Sequence, residues 1–308
     1  MMLRGLITLL FTGFLLVVSG CSSAAEPELP DSHDTSSVAQ KLTGSDGSSF
    51  LRAITSFEWS DDGRRAAETL AWVPADANSP DLKTAEQAGA SAHAIATFLS
   101  SNPQSCTETS ARNPELFGAY VKALIPYVGA MVGDPSDTAG FGPLDPLDGS
   151  MPATTKLFAA MACDAGDEFT TAASERASAY EEAFADFAAK NPTLDEPDDV
   201  RNYLYQAARL SGLISAGART ARVQADPTTV QTPYHVQYLL VSRMVHGSDP
   251  RISPEYFSSD GSLKSARELD GGSWSRYNGQ LASYLTSYPQ LDDAVNDFGR
   301  ISSSIGKP

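Results

Sequence analysis

Catalytic signatures are what this chain has least of. It contains no Gly-x-Ser-x-Gly elbow, no His-Glu-x-x-His helix and no Cys-x-x-Cys pair, which removes the usual serine-hydrolase, zinc-protease and thiol-redox readings. Its one Ser-x-x-Lys, Ser304-Ile305-Gly306-Lys307, lies at the carboxyl end, where no preformed pocket is expected. There are four histidines: His33 falls in a polar stretch, and His93, His235 and His246 have no ligand or triad partner at useful spacing. All four read as packing or capping residues.

Positive charge is also short. Lys and Arg number 22 against 38 Asp and Glu, a formal charge of −16. A phosphate backbone or an anionic lipid surface repels such a chain, and no basic cluster offsets the average, so nucleic acid is excluded as a partner. Nothing in the sequence calls for a cofactor.

Long apolar runs are confined to the amino terminus. Arg4 precedes an apolar stretch from Leu6 to Val18, the length of a secretory leader and shorter than the roughly 20 residues of a membrane span. Val18-Ser19-Gly20-Cys21 closes it with the pattern of a bacterial lipobox, so residues 1–20 read as a lipoprotein signal peptide and Cys21 as the acylated first residue of the mature chain. Loss of Arg4 with the leader moves the formal charge to −17. Each buried methylene contributes about 0.8 kcal/mol, so two or more acyl chains make a stable anchor. The expected place is the extracytoplasmic face of the cell membrane.

Cysteine is nearly absent too, with three in all. With Cys21 acylated, Cys106 and Cys163 remain, an even pair in a disulfide-permissive compartment. A bridge between them would stabilise by about 4 kcal/mol on the chain-entropy estimate; two separate thiols are the alternative.

What is present is helical periodicity. Residues 21–48, rich in Ser, Asp, Glu and Pro, read as a flexible acylated tether, and 49–308 as one helical domain, with possible subdivision near 133–151 and 226–233. Arg64 to Val73 follows a capping stretch and is expected to stop at Pro74. Leu82 to Ser100 carries Ala88, Ala92, Ile95, Ala96 and Leu99 at helical spacing. Asn113-Pro114 opens a segment to Val132 that Pro126 divides. Phe169, Ala173, Ala177, Tyr180, Phe184 and Phe187 form a stripe that leaves Glu175, Glu181, Glu182 and Asp186 for solvent. Asp198 to Ala225 repeats the design, and Val236 to Val245 is apolar nearly all round. Trp274, Tyr277, Leu281, Tyr284, Leu285 and Tyr288 make an aromatic stripe, the pattern of a core face. The fold class is all-α, an irregular multi-helix array around one continuous core.

Trp59-Ser60-Asp61-Asp62-Gly63, the run Pro126 to Asp134, Gly140-Phe141-Gly142-Pro143-Leu144-Asp145 and the following Thr155-Lys156-Leu157-Phe158 resemble, in that order, segments of mycobacterial proteins known as the TPR-repeat-region-containing family, over about residues 50–190. The resemblance implies an exported, α-helical, actinobacterial module linked to specialised secretion or toxin-bearing proteins, and brings no catalytic residues with it. No 34-residue self-similarity accompanies it, so repeat-mediated peptide binding is not implied.

The turn-rich loop from Gly133 to Met151 holds Asp134, Asp137, Phe141, Asp145 and Asp148. Its spacing is not that of an EF-hand, so no metal is expected, but a loop this long in a compact helical domain marks a possible binding loop. The functional expectation is a non-catalytic binding module for a protein or envelope component. A glycan hydrolase using paired carboxylates, or a secretion-accessory structural protein, is the alternative.

Overall fold

A computed structural model describes residues 25–307 except 103–105, 137, 195–198, 227–228 and 271. The leader and Cys21 lie outside the described residues. Among those described, the fold is all-α: fourteen α-helices and four short 3-10 turns, with only two isolated β-bridges, Asp249 with Ile252 and Phe257 with Leu263.

The first helices correct the tether reading. Residues 35–43 form α1 (Thr35–Thr43), capped by Asp34, whose carboxylate accepts the Ser37 N–H at 3.0 Å. Val38 and Ala39 lie one helical turn before Leu42 and all three are buried, so a short apolar face outweighs the polar composition around it. Helix α2 (Gly47–Ser56) follows and buries Phe50, Leu51 and Ile54. Even before α1 the chain lies on the domain: Leu29 packs against the core, and Glu26 pairs with Arg65 at 2.9 Å.

The segment expected as one helix up to Pro74 is two, α3 (Arg64–Glu68) and α4 (Trp72–Asp76). Pro74 stands in the first turn of α4, where its missing N–H has no intrahelical role. Helix α5 (Leu82–Ser101) buries all five of its predicted apolar positions. After α6 (Cys106–Arg112) comes α7 (Pro114–Leu124), with Pro114 at its first position. Pro126 breaks the run, giving the 3-10 turn Ile125–Tyr127 and then α8 (Val128–Met131).

Beyond the Gly133–Met151 loop come α9 (Pro152–Ala160), α10 (Asp167–Lys190) and α11 (Asp199–Ala221). Helix α11 is central, packing on α9, α10 and α14 (Pro289–Ser304). Two glycines permit that approach. A Cβ at Gly217 would stand 2.6 Å from the Phe158 Cβ, and one at Gly212 would stand 2.7 Å from the Ser302 carbonyl oxygen. Helix α12 (Pro233–Met244) lies on α10, and α13 (Trp274–Leu285) packs on α12 and α14.

One hydrophobic cluster runs from Val38 to Ile305, through Tyr120, Phe158, Phe184 and Phe298. It passes on both sides of 133–151 and 226–233, so neither of these segments divides the core.

Candidate functional site

The Gly133–Met151 loop is fastened at both ends and in the middle. Asp134 is 8% exposed; it accepts the Tyr180 hydroxyl at 2.6 Å and the Ser136 hydroxyl at 2.6 Å. Burial opposes its ionisation, but the hydrogen bonds from Ser136 and Tyr180 and the nearby charge of Arg176 outweigh this and hold the carboxyl below its ordinary range. From α11, Arg209 donates to the carbonyls of Leu147 at 3.0 Å and Val132 at 3.2 Å, and Gln206 donates to that of Gly133 at 3.2 Å.

Asp145 caps α9. Its carboxylate accepts the N–H of Ala153 at 3.1 Å, the N–H of Thr154 at 2.7 Å and the Thr154 hydroxyl at 2.8 Å, placing negative charge at the positive end of the helix. Phe141 is buried, stacked on Tyr127 at 5.1 Å between ring centres and T-shaped against His93 at 5.4 Å. Desolvation lowers the His93 pKa. A Cβ on Gly89 of α5 would lie 2.0 Å from the Ala139 carbonyl oxygen, so the loop seats directly on the α5 backbone.

Of the residues assigned to a binding loop, Asp134, Phe141 and Asp145 therefore serve the fold. Asp148 is exposed, and Asp137 lies outside the described residues.

The cysteines are accounted for in part. Cys163 is disulfide-bonded, and the turn that follows it, Asp164–Gly166, packs against α6, which begins at Cys106. The Cys106 side chain lies outside the described residues. A cavity of about 270 Å³ opens beside Cys163, between Phe158, Thr170, Ile214 and Asp226.

A second constellation was not expected. Glu181 and His235, read as a solvent-facing carboxylate and a partnerless histidine, share a 2.8 Å hydrogen bond between Oε2 and Nδ1. The Glu181 side chain is fully buried, while that of His235 is 41% exposed. Among the described residues Glu181 Oε1 is buried with no hydrogen-bond partner, an arrangement that a charged carboxylate tolerates badly and a neutral one much better. Burial raises the carboxyl pKa, partly offset by the hydrogen bond to His235.

Local structure explains the placement. Thr232 caps α12 through the His235 N–H, and Gln231 donates to the Ser178 hydroxyl of α10 at 2.8 Å, so the start of α12 is held against α10. A signal for Glu181 existed: it follows Ala177 by four residues and precedes Phe184 by three, on the stripe itself.

Next to His235 in sequence, Tyr234 is 52% exposed and meets Trp274, 36% exposed, edge to face at 6.3 Å. Trp274 in turn stacks on buried Tyr277. Together they form an aromatic ledge on the surface shared by α12 and α13. The aromatic stripe of α13 is core from Tyr277 onward, as its spacing indicates, and leaves the core at Trp274. No hydroxyl or thiol hydrogen-bonds to the His235 ring among the described residues, and no cluster of three or more His, Cys, Asp or Glu side chains there could hold a metal ion. The site offers an oriented imidazole and two open rings, suited to recognition by stacking and hydrogen bonding.

Neither protein-family models, curated proteins nor solved structures provide a match to this chain.

Proposed function

We propose that this protein is a membrane-anchored lipoprotein of a bacterial cell envelope, held by acyl chains on Cys21, whose helical domain is a non-catalytic binding module. The observation that carries the binding assignment is the Tyr234–Trp274 ledge beside His235. Large aromatic side chains bury roughly 150–250 Å² each when fully covered, and Tyr234 and Trp274 keep 52% and 36% of their surface exposed beside one another, area that a ligand would cover by stacking. The lipobox supports the location, and the resemblance to the mycobacterial TPR-repeat-region-containing family supports an exported helical module. The partner is a protein or an envelope component.

Hydrolysis of envelope glycan has one observation in its favour, the raised carboxyl of Glu181. A glycosidase carboxyl must reach its substrate and face a second carboxyl across a cleft. Glu181 is fully buried against an imidazole, so this alternative is the weaker one.

Crosslinking on intact cells followed by recovery of the acylated protein tests the binding assignment. With both Tyr234 and Trp274 replaced by alanine, the crosslinked species is expected to be lost while the protein still unfolds cooperatively, at a lower melting temperature because Trp274 packs on Tyr277. Recovery of the same species from the double variant would contradict it.

A further inference from the structure

The domain begins so soon after the proposed lipid attachment point that one face of it is committed to the bilayer. Glu26 is bound to Arg65 of α3, and Leu29 is packed on the core. Cys21 is separated from Glu26 by five peptide units and from Leu29 by eight. At no more than about 3.6 Å per residue, covalent geometry limits these spans to about 18 Å and about 29 Å. A domain of this length has a radius of gyration of about 19 Å, and hence a diameter of roughly 50 Å. The leash is shorter than the body it holds.

The contrast with a true tether is quantitative. If the whole stretch to residue 48 were flexible, its contour would reach about 95 Å with a root-mean-square span of about 30 Å, enough for the domain to turn over freely. Helix α1 and the Leu29 contact remove that freedom.

Resting on the lipoprotein reading, we infer that the surface around Glu26, Leu29 and the exposed Arg64–Arg65 start of α3 is the membrane-facing side, its partner being the lipid headgroup layer to which Cys21 is attached. The face is held there by the anchor and not by its charge: Lys41, Arg52, Arg64 and Arg65 are outnumbered by Glu26, Glu28, Asp31, Asp34, Asp46, Glu58, Asp61 and Asp62 among residues 22–65. Helix α13, carrying Trp274, has its main packing partners in α12 and α14, whereas α1 and α2 pack chiefly on α5 and α3 on α7; the inference places the aromatic ledge away from the anchored face, open to the envelope.

Energy transfer to a rhodamine-headgroup lipid tests this on the full acylated protein in phosphatidylcholine vesicles. The donor dye is placed on Arg64→Cys or on Ser283→Cys, both exposed positions, and coupled without reductant so that the disulfide at Cys163 survives. Transfer from position 64 is expected to exceed that from position 283 at least threefold. Inserting a flexible 20-residue Gly-Ser segment between Ser23 and Ala24 is expected to bring the two values together. Equal transfer from both positions, in protein whose acylation is confirmed by mass, would overturn the orientation alone. Protein recovered without acyl chains would remove the lipoprotein reading and the orientation with it.

Discussion

Replacing Glu181 with glutamine isolates the energetic consequence of the buried pair. The side chain is fully buried and its carboxyl is raised above the ordinary range by burial. A raised value in the fold means that the folded state holds its proton more tightly than the unfolded chain does. The stabilisation is therefore complete below the ordinary carboxylate value, about 4.3, and is lost as pH rises through the folded value. Within that window the loss is about 1.4 kcal/mol per pH unit for one proton. In the Glu181→Gln variant the side chain carries no proton to lose, while its amide can still hydrogen-bond the His235 ring. At acid pH the variant is thus expected to lie within about 1 kcal/mol of wild type, and to gain on it by about 1.4 kcal/mol for each unit above the ordinary value until Glu181 ionises in the fold. His235 on α12 and Glu182 on α10 are the neighbours that act on the Glu181 carboxyl besides burial, the first lowering and the second raising its value. Urea unfolding of both proteins at half-unit steps from pH 4 to 7 measures the difference. Parallel stability curves would show that Glu181 is not the buried neutral group described above.

Asp145→Ala removes three hydrogen bonds from the start of α9 and is expected to cost about 1–2 kcal/mol in denaturant unfolding, the range for a lost helix cap; no change would mean that the loop is not welded there. Gly89→Ala puts a Cβ 2.0 Å from the Ala139 carbonyl oxygen and is expected to cost about 3 kcal/mol, the upper range for overpacking; an unchanged melting temperature would contradict the seating of the loop on α5. Non-reducing peptide mapping of protein recovered from the envelope is expected to find Cys163, which is disulfide-bonded, joined to Cys106; alkylated free thiols at both positions would refute the pairing.

Periodicity made the helices legible wherever the apolar stripe was long. Ala88 to Leu99, Phe169 to Phe184 and Leu204 to Ala218 are buried as their spacing requires, because a face repeated over three or more turns has one way to pack. Short elements escaped. Helix α1 carries only Val38, Ala39 and Leu42 within a polar, acidic stretch, so composition pointed to a tether where capping and tertiary contacts make a helix.

Polar groups were the harder case, since their partners are distant in sequence. Asn113 precedes α7 as a capping residue would, yet its amide donates to the carbonyls of Thr55 and Phe57 and its oxygen accepts the Trp59 N–H. It ties the end of α2 to α7 instead of capping its own helix. Glu181 and His235 are 54 residues apart, and only the packing of α12 on α10 joins them. The Asp-rich loop looked free for the same reason: the side chains that fasten it, Tyr180, Gln206 and Arg209, come from helices later in the chain.

Everything proposed about place and orientation depends on Cys21, and metabolic labelling with a fatty-acid probe tests that residue directly. The account predicts label on the wild-type protein, a mature chain that begins at Cys21, and no label on Cys21→Ala. Equal labelling of the two proteins, or a mature chain that begins elsewhere, would contradict it.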